Sequence, residues 1–434
     1  MTVSAKRSSV FKGITRNVAA LALVSLLTDI SSEMLIYLVP LYLANVLLAG
    51  PAIIGLIEGI AESAAAALKL VSGALSDRLG RRKLLVGIGY GSSTVAKVLF
   101  VVASVWPLVL LARLGDRLGK GIRTAPRDAL IADSTDAAYR GRAFGFHRAM
   151  DTLGAFLGVL AALVIVLVAA GGERELDGPT FHLIALIALI PAALAVGVIF
   201  VGVRDVRRAP QATAAGESAP ARTRWQRLVA TARQLPKPFW LFIAANTLFA
   251  LGNSSDAFLA LRTQQLGAVL TDLLLMIVAM NLVDTLISFP AGALSDRFGR
   301  RAPLAIAWLI YAAAYAGFAL AASPIAAAGL WILYGAYYGI NEAVGRAYIA
   351  DVTPANLRAT GYGILNAAIA AAVLPASLVA GLLWDAYGPP APFFVGAGFA
   401  VAAVVVLLLI RTRRRTRNER LGASAEVLAG SPEI

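Results

Sequence analysis

Seven charged residues stand at helical spacings that could support chemistry. Asp29 and Glu33 are four residues apart, as are Glu58 and Glu62, so each pair shares one helix face. Arg113, Arg117 and Lys120 follow at i, i+4 and i+7 and make a basic stripe. Two carboxylates facing a low-dielectric hollow can take up and release a proton, which assigns Asp29, Glu33, Glu58 and Glu62 as candidate proton-coupling groups. A basic stripe opposite them can neutralise them or hold an anionic solute. All seven lie inside apolar runs. There each ionisable residue costs roughly 2.5–3.5 kcal/mol on insertion, so such residues are functional candidates by default.

Other chemistries lack their residues. The chain has no cysteine, which removes thiolate metal sites and thiol nucleophiles. His147 and His182 are its two histidines, too few for a multi-histidine metal site, and His147 is expected to be structural. Gly119-Lys120-Gly121 is no phosphate loop: Gly115 is one residue too close, and no Ser or Thr follows Lys120. No enzyme activity, cofactor or metal is expected.

The elements that position these charges follow from composition. Of 434 residues, 59% are hydrophobic and 15% charged, with mean hydropathy +0.75; a soluble domain carries about 25% charged residues. Twelve apolar runs reach the roughly 20 residues needed to cross a bilayer, and no soluble catalytic domain fits in the remainder. The expected order is a cytoplasmic N-terminus (1–17), six helices (18–203), a polar cytoplasmic linker (204–238), six more helices (239–410) and a cytoplasmic tail (411–434). A short amphipathic helix is expected near Trp225–Arg233 of the linker. The alternate loops on one side hold 28 of the 39 Lys and Arg, and the other side holds Arg174 and Arg262. That bias puts both termini in the cytoplasm and explains the net charge of +14 by topology, not by nucleic acid. The tail from Arg411 to Arg420 could touch anionic lipid headgroups. The first span is too long, and too charged at Asp29 and Glu33, for a cleaved signal peptide.

The two halves repeat. GALSDRLGRRK at 73–83 recurs as GALSDRFGRRA at 292–302, an offset of 219. Three further matches keep the same order: Arg127 with 131–133 and Arg346 with 349–351; 140–145 and 358–363; 31–33 and 254–256. Both copies enter from the same face, so the repeats are parallel. In the loop, Gly73 and Gly292 permit close helix approach. Gly80 and Gly299 permit a turn with positive φ. Asp77 and Asp296 can cap a helix or pair with an arginine.

The doubled G-x-L-x-D-R-x-G-R-R loop, at the same place in each six-helix half, resembles the signature of the major facilitator superfamily. The resemblance covers nearly the whole chain. It implies an all-α membrane protein whose twelve transmembrane helices form two pseudo-symmetric six-helix bundles, with the first and fourth spans of each lining a central cavity. It also implies a gating role for the loop residues Gly73, Asp77, Arg78, Gly80, Arg81, Gly292, Asp296, Arg297, Gly299 and Arg300, so that Asp77→Asn should impair transport while leaving insertion intact. Arg117-Leu-Gly-Lys-Gly121 resembles the superfamily's fourth-span pattern, which places Arg117 near the proton pathway; Lys120 stands where a neutral polar residue is usual. Drug–proton antiporters of the superfamily carry a Gly-Pro-x-x-Gly-Gly type sequence on span 5, and HRAMDTLGAFLG at 147–158 lacks the Gly-Pro. Gly154 and Gly158 keep a small-residue packing face there.

The second half is quieter. Asn253, Asp256, Tyr338, Asn341 and Glu342 are its candidates for a substrate cavity, facing Arg113, Lys120 and Arg123 of the first half. The expected function is proton-coupled export of a small solute by alternating access. The alternatives are proton-coupled uptake of a small organic anion or nutrient, and a non-transporting membrane sensor. The expected partners are a small-molecule substrate, protons and membrane lipids, with the chain monomeric in a bacterial inner membrane.

Overall fold

The computed structural model describes residues 14–79, 81–136, 139–169, 175–205, 234–354 and 357–410. Regular structure among them is helical throughout. The first half contains α1 (Arg16–Ile36), α2 (Leu38–Asn45), α3 (Pro51–Leu79), α4 (Arg82–Val101), α5 (Trp106–Asp133), α6 (Arg140–Ala169) and α7 (Gly178–Gly202). The second contains α8 (Lys237–Gly252), α9 (Ala257–Gln265), α10 (Leu270–Phe298), α11 (Arg301–Leu320), α12 (Pro324–Val352), α13 (Arg358–Tyr387) and α14 (Pro390–Leu409). Joined end to end, α1–α2 and α8–α9 each make one crossing, giving the twelve membrane spans of two six-helix bundles. The linker helix expected near Trp225, the N-terminal segment and the tail lie outside the described residues.

Nine of the described crossings are long and apolar enough to span a membrane by themselves. The other three are α5, which carries the charged stripe, the interrupted α8–α9, and the tyrosine-rich α12. The outer surface is apolar: Val168, Phe200 and Ile325 are 81%, 67% and 85% exposed. Exposed apolar surface so extensive marks contact with lipid.

Each bundle uses the same packing. In the first, α1 lies on α6 and α7, and α4 on α5 and α7; in the second, α8 lies on α13 and α14, and α11 on α12 and α14. The bundles meet along two equivalent seams, α3 against α13 and α6 against α10. Toward the face opposite the chain termini the bundles are closely bonded, along α3–α13 and also between α2 and α9. Ser63 donates to the Ala370 carbonyl at 3.0 Å, the Ala52 amide to Asp385 at 3.1 Å, and the Asn45 amide to Gln264 at 3.3 Å.

Two spans expected to be continuous are broken. In the first, α1 stops at Ile36 and α2 restarts after Tyr37. Pro40 has no N–H to give to the Ile36 carbonyl four residues back, which loosens the helix there. In the seventh, α8 ends at Gly252 and α9 begins after Asp256. The intervening Asn-Ser-Ser-Asp contains residues whose side chains compete for backbone hydrogen bonds and favour helix ends. Each break interrupts the first span of its half, so the two breaks are repeat-equivalent.

Candidate solute cavity

A cavity of about 280 Å³ lies between the bundles at the level of both breaks. Tyr37, Glu58, Glu62 and Arg113 wall it from the first half; Asn253, Ser254, Ser255, Asp256, Tyr338 and Ser377 wall it from the second. Its volume is near the lower end of the ~300–1,000 Å³ usual for ligand pockets, so it suits a small solute.

The charges of the first half are largely consumed by one another. Glu58 and Arg113 form a buried bidentate pair, with Nε and Nη2 at 2.9 and 2.7 Å from the two carboxylate oxygens. Arg117 Nε lies 2.8 Å from Glu62, an ion pair made without hydrogen-bond alignment. Behind α5, Lys97 donates to Ser31 and Ser32 at 2.8 and 2.9 Å and lies 4.0 Å from Asp116, which also accepts from Ser93. The basic stripe, read from the sequence as a possible anion site, is therefore engaged by carboxylates at Arg113 and Arg117.

Asp29 and Glu33 differ. They are half-buried on α1, and among the described residues neither has a hydrogen bond or ion pair. Both are close enough to Lys120 to interact electrostatically, and Asp29 also feels Asp151, Arg123 and Arg127. Lys120 is exposed although it lies mid-span. An ammonium at that depth avoids hydrocarbon, so its exposure is to the interior between the bundles. Gly154 and Gly158 of α6 bring α1 in tightly: a Cβ on Gly158 would lie 2.6 Å from the Ile30 carbonyl and 2.9 Å from the Glu33 Cβ. The turn of α1 that carries both acids is thus fixed against α6.

In the second half, Asp256 accepts hydrogen bonds from Tyr334 at 2.6 Å and Tyr338 at 3.2 Å. Tyr334 and Tyr338 are one helical turn apart on α12, so both of these span-10 aromatics present their phenols to the same carboxylate. The other candidates are placed elsewhere. Arg123 is buried with its guanidinium 4.4 Å from the centre of the Tyr90 ring, so it joins α4 to α5 and does not wall the cavity. Asn341 accepts from the indole of Trp308 at 3.0 Å, inside the second bundle. Glu342 pairs with Arg148 of the first half at 2.7 Å, nearer the face that carries the termini. Lys120 also stands outside the cavity wall, on the same side. His147 is buried with Nδ1 3.6 Å from Asp151.

At the repeated loops, Arg82 pairs with Asp133 at 3.1 Å, and Arg300 with Asp351 at 3.2 Å. Each pair ties a loop to the end of a span in its own bundle. Arg300 also donates to Ser295 at 2.7 Å, and Ser295 to the Gly292 carbonyl at 2.7 Å. Gly299 has φ of 89°, a backbone state that only glycine adopts freely. Gly73 faces Ala125 of α5, Arg81 precedes the first turn of α4, and Arg297 lies in the last turn of α10. Gly80 and the side chains of Asp77, Arg78 and Asp296 lie outside the described residues.

Comparison with known proteins fits this architecture. Residues 21–283 and 256–431 match the family model described as Major Facilitator Superfamily. An uncharacterised MFS-type transporter of Methanocaldococcus jannaschii is 32% identical over 403 residues, covering 92% of this chain and 95% of its own length. The class C tetracycline resistance protein of Escherichia coli is 39% identical over 112 residues, 24% of this chain and 26% of its own. Among solved structures, a bacterial homologue of the human lysosomal transporter Spinster, in an inward-facing and unoccupied conformation, superposes with a TM-score of 0.69 at 18% identity, covering 96% of this chain and 98% of that one.

Proposed function

The chain belongs to the Major Facilitator Superfamily, and from that premise we propose that it is a secondary active transporter exporting a small solute in exchange for protons. The two bundles rock about the cavity, exposing it to one side of the membrane at a time. Both termini face the cytoplasm, the membrane is a bacterial inner membrane, and the working unit is the monomer.

One observation carries the coupling: among the described residues Asp29 and Glu33 sit without ion-pair partners beside Lys120 in the interior between the bundles, whereas Glu58 and Glu62 are held by arginines. Carboxylates that are reachable and unclaimed are the ones free to exchange a proton as the cavity changes sides. Glu62, at 40% side-chain exposure, is the next candidate, with Arg117 as its counter-ion. The ion pairs at Arg82 and Arg300 brace the loops within each bundle, and the gating role proposed for the loop residues is to hold the cytoplasmic side shut in one state and release it in the other. Export draws support from the similarity to the tetracycline resistance protein. The second reading is uptake of an organic anion with the proton. It is favoured by the missing Gly-Pro on α6, and disfavoured because Arg113 and Arg117 are already engaged.

Reconstitution into proteoliposomes with an imposed pH gradient separates the readings. Solute moving against the proton flux supports exchange, solute moving with it supports uptake, and no movement across a broad solute panel supports a sensor. Asp29→Asn and Arg117→Ala belong beside wild type; if both moved solute normally, the coupling assignment would be wrong.

A further inference from the structure

Asp256 is placed unlike any other acid of the interior. Among the described residues it has no ion-pair partner; its two oxygens accept only from the phenols of Tyr334 and Tyr338. An ionised carboxylate has about four lone-pair sites, so each oxygen keeps one for a ligand. Across the cavity it interacts electrostatically with the carboxylates of Glu58 and Glu62. Arg113, the base in the cavity wall, is taken up bidentately by Glu58. With Glu58 taken by Arg113 and Glu62 by Arg117, Asp256 is the acid of the wall left without an ion-pair partner among the described residues.

A second acceptor stands one turn of chain away. Asn253 shares the same wall, and its side-chain oxygen is buried without a hydrogen-bond partner among the described residues. A buried acceptor left unmade costs about 1–3 kcal/mol, which a ligand donor would recover. Tyr37 and Tyr338 complete the wall with aromatic surface, which favours a cation.

We propose that the break between α8 and α9 binds the ammonium group of a small organic cation, with Asp256 as counter-ion and Asn253 Oδ1 as second acceptor. An ammonium has three N–H donors and matches this acceptor set; a carboxylate or phosphate would meet the unmatched charge of Asp256 and a buried acceptor, with the nearby arginines already engaged. The proposal rests on the transporter reading for its biological sense, since it names the class of solute carried, but binding is measured without any gradient.

The test is calorimetric titration of the purified full-length protein with 2-phenylethylammonium, its carboxylate counterpart 3-phenylpropionate and neutral 2-phenylethanol. The ammonium is expected to bind saturably and at least tenfold more tightly than the other two. Asp256→Asn keeps size and helix-capping ability but loses the charge; it should weaken the ammonium at least tenfold and leave the neutral probe unchanged. Asp256→Glu should restore part of the loss, and Asn253→Ala should weaken binding a few-fold. Thermal unfolding without ligand checks that each variant is folded; if Asp256→Asn is not, Asn253→Ala and the wild-type order of the three probes decide. Equal or tighter binding of the carboxylate, absence of saturable ammonium binding, or indifference to Asp256→Asn overturns the proposal. Ammonium binding that depends on Asp256, without solute movement in proteoliposomes, would instead sink the transport reading and leave this one standing.

Discussion

Asn45 and Gln264 hold equivalent positions in the two repeats, 219 residues apart, and hydrogen-bond to each other across the seam, Nδ2 to Oε1 at 3.3 Å. Two equivalent residues meet only at the axis that relates the halves. Bundles rocking about the central cavity must therefore part this bond when the face opposite the termini opens. A neutral hydrogen bond contributes about 0.5–1.5 kcal/mol net. Gln264→Ala should shift the population toward the open form a few-fold. The chain has no cysteine, so Ile54→Cys gives a clean reporter at a buried position lining the hollow on that face. Labelling of that thiol by an impermeant reagent should speed up a few-fold in the Gln264→Ala background, and an unchanged rate would argue against a seal there.

The Glu58–Arg113 pair should dominate local stability. Both side chains are nearly excluded from solvent, 4% and 6% exposed. Removing one partner of a buried pair costs about 3–5 kcal/mol, since the other charge is left uncompensated. Arg113→Met alone should lower the thermal midpoint sharply in detergent. The double change Glu58→Leu with Arg113→Met should recover most of that loss, because a well-packed apolar replacement of a buried pair is often neutral.

Arg148 and Glu342 make an ion pair of the same length, 2.7 Å, but are 58% and 37% exposed. Solvent screening reduces such a pair to about 0–1 kcal/mol. Arg148→Ala should therefore leave the thermal midpoint nearly unchanged. A fall comparable to that of Arg113→Met would show that the bridge between the bundles is far less hydrated than its exposure indicates.

How much of this was legible in the sequence depends on range. The twelve crossings follow from run length and loop charge, which are local quantities. The repeat follows from the doubled loop, and Gly299 from its turn. The broken spans were hidden because 18–46 and 239–261 read as unbroken apolar runs; Pro40 and the Asn-Ser-Ser-Asp tract were the signals passed over. The partners of the charges were not legible. Asp29, Glu58 and Asp116 look alike in one dimension. Which acid meets which arginine depends on the rotation and height of α1, α3 and α5 against each other. Arg123 illustrates this: it lies close to the face of Arg113, Arg117 and Lys120, yet it turns to the Tyr90 ring on α4.

Coupling should fail selectively at α1. Asp29→Asn removes a charge that has no ion-pair partner among the described residues, so no opposite charge is stranded. The variant should fold normally. Exchange of labelled solute down no gradient should persist in it, whereas uphill movement driven by a pH gradient should fall at least tenfold. Equal loss of both activities would make Asp29 part of solute binding, not of coupling.

Close packing against Gly158 of α6 holds α1 in place. A methyl group on Gly158 would sit 2.6 Å from the Ile30 carbonyl oxygen and 3.1 Å from the Ile30 Cα. Neither is the end of a flexible side chain, so α1 or α6 must shift. Overpacking of this kind costs about 1–3 kcal/mol. The shift carries Glu33, whose Cβ is 2.9 Å from the added carbon. Gly158→Ala should lower both the thermal midpoint and gradient-driven transport, although alanine is the better helix former. Gly197→Ala on α7 is the matched control, since nothing lies within 4 Å of its added methyl. There the same substitution should be neutral or slightly stabilising, with transport unchanged. Were the two variants to behave alike, contact of α1 with α6 would not be what positions the acids, and the coupling site would have to be sought on a different span.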